Sequence, residues 1–451
     1  MKKNRVASRF SWPALIALAF LLITYIVMNC RWSVSGEKLT LKYFELAREW
    51  LMGERVASMA DSVLLIDVHY DKRLVLEHKI LPNDTIAKGK TPITDRQKLY
   101  QLLEYLKDKD YRYILLDVAL DEEASQPEDS ALYQLIGTMR DIAIPFPMRK
   151  QLADSCLETK AGMAQYGTTI WENDFVKYPY LTDGVKSIPL KMYEELTGRS
   201  IKGYWPFYFD GLSLARRSVI LTYELRVKTV DEIEEEAELS DGNMPIYDSP
   251  VDLGISVLGE QLDTTKNSNE DEPLINNPTW ANGKYVLIGD YISDRHTTYM
   301  GEVAGTVINF NAYWALYRGH HRISLLFILT LFAAYFILSW LIINHHTAKS
   351  LTQKYIRKVW KRYKKPWQRR LLHCLKYIGR LLTWLSYPTF LVVLCLITYL
   401  WLGEVYDVLL AITLFFLLKK AILWHHRLKV FNKYTKIKRI KHEKSKNKEH
   451  Q

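Results

Sequence analysis

Two charge-free apolar runs constrain this chain more than any other feature: WPALIALAFLLITYIVM at 12–28 and SLLFILTLFAAYFILSWLII at 324–343. As a helix, each is long enough to cross about 30 Å of hydrocarbon. Whatever lies between them must fold on one side of a bilayer. A cleaved signal peptide is the rival reading of the first run, because small residues stand at Ser33 and Ser35. The apolar core is longer than an ordinary signal sequence needs, which favours an uncleaved signal anchor. Two further spans are expected. One, at 382–402, contains Pro388, whose freed carbonyl neighbouring helices can satisfy. The other, at 405–424, has Asp407 near one interface and Lys419 and Lys420 near the other, where long side chains can snorkel.

The net charge of +11 becomes informative once it is divided by position. Residues 31–344 carry 33 Lys and Arg against 46 Asp and Glu, leaving 28 basic and 4 acidic residues for the rest. An acidic body between basic ends fits the positive-inside rule if the body is exported and the ends stay in the cytoplasm. The expected order is therefore a basic cytoplasmic N-terminus (1–10), a first span (11–29), an extracytoplasmic domain (30–322) and a second span (323–344). A basic amphipathic loop (345–381), spans at 382–402 and 405–424, and a basic tail (425–451) follow. The localisation this implies is the cytoplasmic (inner) membrane of a bacterium, with both termini inside. The loop interleaves Lys and Arg with Trp360, Trp367 and Leu371, the composition of an interfacial helix, so anionic lipids are its expected partners, as for the tail. Nucleic acid is disfavoured, since topology already accounts for the charge.

Within the body, 36–59 reads as an amphipathic helix with Leu41, Phe44, Leu46, Trp50 and Leu51 on or near one face. SVLLIDV (62–68) and YILLDV (113–118) are buried strands ending in an acid. Between them DRQKLYQLLEYLK (95–107) is a helix with Asp95 as N-cap. A helix at 130–140, a strand at 142–146 and a helix at 189–197 follow. KYVLIG (284–289) is a last core strand, and Asp294, Arg295 and His296 stand exposed in the loop after it. From Gly305 apolar residues recur at helical spacing, predicting a helix that runs straight to Ile323. Strands that alternate with helices and are apolar on both faces predict an α/β domain with a mainly parallel sheet, beside an all-α membrane part of four transmembrane helices. The acidic block at 231–241 reads as a solvated loop or exposed helix, with calcium binding as the alternative, and the polar stretch at 261–282 as a long loop. Cys30, Cys156, Cys374 and Cys395 show no metal-like spacing and imply no disulfide framework; Cys30 with Cys156 is the one pairing to consider.

In an open parallel sheet, ligands bind beyond the carboxyl ends of the strands. That places Asp67, Asp117 and Asp290 at a candidate site, with Asp294, Arg295 and His296 beside them. Converging carboxylates there would bind a cation or raise one another's pKa. The alternative is that each Asp caps a helix or solvates a turn. No GxSxG, HExxH, Walker-type loop or paired metal-ligand spacing is present, so catalysis is disfavoured and no cofactor is expected.

SVLLIDV, DRQKLYQLLEYLKDKDYRYILLDVAL, VLIGD, DRHTTYMG and AGTVINFNAYWAL together, in this order, resemble the second type of CHASE domain, an extracellular sensor family associated with bacterial cyclases and histidine kinases. The resemblance covers 31–321. It implies a sensor followed by three membrane helices, as expected here. This chain has Ala304 where the family often has Pro, and Asn309 where it has His, and no cyclase or kinase follows. The resemblance points to a membrane receptor that relays a small ligand or ion outside to a separate cytoplasmic or membrane protein, with a homo-oligomer as a further expectation. The alternative is a scaffold that recruits envelope partners without sensing.

Overall fold

The structure, a computed structural model, describes residues 2–30, 35–53, 62–81, 84–120, 126–145, 160–162, 175–182, 184–221, 223–227, 251–252, 279–343, 387–422 and 424. The basic loop, the tail, the acidic block at 231–241, residues 261–278, Cys156 and Cys374 lie outside the described residues. Two compact units emerge, Asn29–Ile323 and the remainder. In chain order the elements begin with α1 (Lys2–Met28), α2 (Ser35–Met52), β1 (Val63–Asp67), β2 (Lys72–Leu81), β3 (Asp84–Thr94), α3 (Arg96–Lys107) and β4 (Tyr113–Asp117). Next come α4 (Asp129–Thr138), β5 (Ile142–Pro145), β6 (Ala161–Gly162), β7 (Lys177–Pro179), β8 (Leu181–Thr182), β9 (Val185–Lys186) and α5 (Ile188–Thr197). Then follow β10 (Ile201–Tyr204), β11 (Phe207–Asp210), β12 (Ser213–Ala215), β13 (Ser218–Ile220), β14 (Val251–Asp252) and β15 (Tyr285–Gly289). The series closes with β16 (Arg295–Thr298), β17 (Gly301–Ala304), α6 (Gly305–Tyr317) and α7 (Leu325–Ile343), then α8 (Tyr387–Leu402) and α9 (408–422).

The first unit is an α/β domain. Its main sheet has the order β14-β1-β15-β4-β5-β6, with every neighbouring pair parallel. Alternate residues of each strand enter different cores. Leu65, Tyr113, Leu115, Tyr285 and Leu287 pack on the side of α5 and α6, while Ile66, Ile114, Leu116, Val286 and Ile288 pack on the side of α3 and α4. This explains the near-continuous apolar runs: a strand buried on both faces has no polar side to alternate with. Each fully buried aliphatic side chain in these rows contributes about 1.5–3 kcal/mol relative to exposure. Asp95 caps α3 as expected, its carboxylate accepting from Gln97 N at 2.9 Å and Lys98 N at 3.3 Å. Ser187 caps α5, which ends at Gly198 with φ 66°.

Several expectations need correction. The amphipathic helix stops at Met52, before Gly53 at φ 82°, and only part of its apolar set is buried. Leu41 and Phe44 are buried, whereas Leu46, Trp50 and Leu51 are exposed. A two-stranded hairpin, β2–β3, occupies 72–94, where no element was expected. The helix after Gly305 does not run to Ile323. It ends at Tyr317, the chain turns at Gly319 (φ 83°), and residues 321–323 pair with β12 before α7 opens. That pairing is strong enough to interrupt helical periodicity: Arg216 N donates to His321 O and Ile323 N to Leu214 O, both at 2.8 Å. Asp210 completes the junction, its Oδ2 accepting from Arg322 Nε at 2.6 Å and Tyr193 OH at 3.1 Å and meeting His321 Nε2 at 2.9 Å. Burial alone would raise the Asp210 pKa, but these three partners hold it below the usual carboxylate range.

In the second unit, two helices are long and apolar enough to cross a membrane: α1, through residues Ser11–Met28, and α7. They are joined by Thr24 Oγ1 and Tyr335 OH at 2.9 Å. Over the third expected span the described helix is the shorter α8, and over the fourth it is α9, neither among the helices long and apolar enough to cross. Between these two the turn is longer than Gly403 and Glu404 alone. Glu404 is buried there and accepts from Ser324 N at 2.9 Å, a carboxylate at the positive end of α7, and Asp407 accepts from Leu410 N at 2.9 Å at the start of α9.

Candidate functional site

The carboxyl ends of β1, β15 and β4 lie side by side, because Asp67, Gly289 and Asp117 are in one register row. Two strand spacings, roughly 10 Å, therefore separate the Asp67 and Asp117 backbones. Gly289 between them has a structural reason. A Cβ on it would lie 1.9 Å from Thr306 Oγ1, so only glycine lets the start of α6 settle on the strand end.

Among the described residues the three strand-end aspartates do not form a group that could hold a metal ion, and each has partners of its own. Asp67 is spent on the backbone, accepting from His69 N at 3.0 Å and Tyr291 N at 3.2 Å, which fixes the loops after β1 and β15. Asp290 accepts from Lys72 Nζ at 2.8 Å, from Ile292 N at 3.1 Å and from Ser293 N at 2.6 Å, and meets His69 Nδ1 at 3.1 Å. Burial would raise its pKa, but Lys72, Ser293 N–H and His69 hold it down. For Asp67 and Asp290 the turn-capping alternative is the one realised. Arg295 is likewise elsewhere. It opens β16 rather than lying in a loop, pairs with Ala304 across the β16–β17 hairpin, and donates to Glu302 O at 3.1 Å.

Asp117 is different. Its carboxyl group is partly buried at the end of β4, the Asp294 charge acts on it, and its pKa is pushed up to about 6. Desolvation is the main cause and the Asp294 charge the second; the hydrogen bond from Asn309 and the nearby Thr306 hydroxyl and His296 oppose them. Asn309 Nδ2 donates to Asp117 Oδ2 at 2.9 Å, and Asn309 Oδ1 accepts from Tyr178 OH at 2.6 Å. Asp294 is half-exposed and paired with His296 Nε2 at 3.0 Å, which raises the His296 pKa despite burial. Gly305, the first residue of α6, fits against this pair. A Cβ there would lie 2.4 Å from Asp294 Oδ2 and 3.5 Å from Asp117 Oδ2. Asn311, six residues further along α6, grips the backbone of Leu225 with both amide atoms.

The site is thus Asp117, Asp294 and His296, with Asn309, Thr306 and Tyr178 behind them. Among the described residues no three His, Cys, Asp or Glu side chains are grouped so as to hold a metal ion. What the arrangement offers is two neighbouring carboxyl groups beside the first residue of a helix, Asp117 the more buried and Asp294 the more open. Compared with family models, characterised proteins and solved structures, the chain matches none. The sequence singled out Asp117, Asp294 and His296 by their place after core strands. It gave no role to Thr306 or Tyr178, whose parts depend on the close approach of α6 and on a strand remote in sequence.

Proposed function

We propose that the chain is an integral membrane receptor whose α/β domain, outside the cytoplasmic membrane, responds to a proton or small polar ligand at Asp117, Asp294 and His296. The observation that carries this reading is the Asp117–Asp294 pair packed against Gly305. A change of charge or a bound group between the two carboxyls bears directly on the first turn of α6. From the end of α6, seven residues lead to the start of α7. The acidic body between basic ends supports the sidedness, and the four-span arrangement, with α8 and α9 completing the membrane part, follows from it. The resemblance to the second type of CHASE domain points the same way. The output is assigned to a separate membrane or cytoplasmic protein. The scaffold reading has no observation of its own behind it.

A thermal-shift screen of the full chain in detergent, using small organic acids, amines, sugars and inorganic ions, tests the proposal. The expected hit stabilises the wild type and loses its effect in Asp117→Asn and Asp294→Asn. Hits that act equally on both variants would place sensing elsewhere.

A further inference from the structure

The three strands β10, β11 and β12 form an antiparallel meander with two unlike faces. Tyr208, Asp210 and Ala215 point inward and are buried. On the outward face the register rows are Lys202, Phe209 and Leu214, then Tyr204 and Phe207. Tyr204 is 90% exposed, Trp205 57% and Leu212, at the tip of the second turn, fully so; Phe207 and Phe209 are also exposed. Lys202 is the charged member of these rows. Large aromatic and aliphatic side chains gathered on one surface mark a contact with something apolar.

The position of the meander says what that is. Its edge strand β12 is bonded through Leu214 O to Ile323 N, two residues before α7 opens. Just past β12, Arg217 N donates at 2.7 Å to Asn29 Oδ1, and Asn29 is the residue that follows α1. The same short stretch, 214–217, is therefore fastened to the chain where it leaves one membrane-length helix and where it enters the other. Trp and Tyr with an apolar body and a polar tip, a protruding Leu and a Lys form the composition that settles among lipid headgroups. We propose that the outer face of this meander is a membrane-docking surface, lying in the interfacial layer of the bilayer that α1 and α7 cross. The proposal rests on the reading of α1 and α7 as spans. Docked in this way, the sheet fixes the domain's stance on the bilayer, with Lys202 placed to meet a lipid phosphate.

The test uses the full wild-type chain in nanodiscs of phosphatidylcholine and phosphatidylglycerol carrying a trace of phospholipid with a photoreactive diazirine in its acyl chain. After irradiation, adducts are mapped by mass spectrometry. Adducts on peptides spanning 204–214, besides those on α1 and α7, are expected. Adducts on α1 and α7 with none on 204–214 would overturn docking while leaving the spans standing, and adducts on none of them would overturn both. A second reading comes from a nitroxide at Leu212→Cys, with Tyr70→Cys as an exposed reference, in a chain whose native cysteines are replaced by alanine. The label at 212 should lose accessibility to a water-soluble nickel chelate and keep accessibility to oxygen. Shielding from both would show that a protein, such as a second copy, covers the face, and overturn the proposal. Nickel accessibility equal to that at position 70 would overturn it as well.

Discussion

Asp117 is the residue on which the chemistry of this domain turns. An isolated Asp titrates near 3.9, whereas Asp117 titrates at about 6 because it is desolvated and faces Asp294. The native state therefore favours the protonated form. The stability that protonation contributes is fully present below the unfolded value and is lost as pH rises through 6. A shift of this size corresponds to roughly 2–3 kcal/mol of native-state strain at neutral pH. Asp117→Asn keeps an acceptor for Asn309 and removes the charge. Its melting temperature should exceed that of the wild type at pH 7.5, with the gap closing as pH falls toward about 4. A gap independent of pH would mean that the Asp117 carboxyl is not desolvated as described. The proximity of Asp117 to Asp294 could be suspected from the sequence, since both follow core strands. Its separation from Asp67 and Asp290 could not, because those two are claimed by backbone amides and by Lys72, partners that only the folded loops supply.

At the scale of elements, α6 connects the site to the rest of the domain, and two glycines govern its seating. Gly289 and Gly305 both lie closer to a neighbour than any Cβ allows, but the neighbours differ. A Cβ at Gly289 meets Thr306 at Oγ1 and at Cβ, and the Cβ is fixed to the helix backbone whatever the rotamer, so Gly289→Ala should lift α6 and cost about 1–3 kcal/mol. A Cβ at Gly305 meets the far end of the Asp294 side chain, which can swing outward. Gly305→Ala should leave the melting temperature nearly unchanged while narrowing the Asp117-dependent pH response without abolishing it, because desolvation outweighs the Asp294 charge as its cause. Equal destabilisation by both changes would contradict this seating. The core strands, α3 and its Asp95 cap were legible because period and capping chemistry are local. The meander and the β2–β3 hairpin were not, since their short strands of mixed composition are defined by partners. The helix expected to reach Ile323 failed for the same reason: pairing with β12 and the Asp210 contacts outweigh local periodicity there.

For the molecule as a whole, the proposal made above is that an exported domain reports to the membrane through α6 and the turn before α7; the acidic body, the basic ends and the two membrane-length helices are what support it. Hydrogen–deuterium exchange of the full chain in nanodiscs at pH 7.5 and 5.5, corrected for intrinsic rates, addresses that picture most directly. The expected result is a change of protection over the first two turns of α6 in the wild type as Asp117 takes up its proton, and no such change in Asp117→Asn. Identical protection of α6 at both pH values in the wild type, or a change that persists in the variant, would contradict the coupling of this site to the helix.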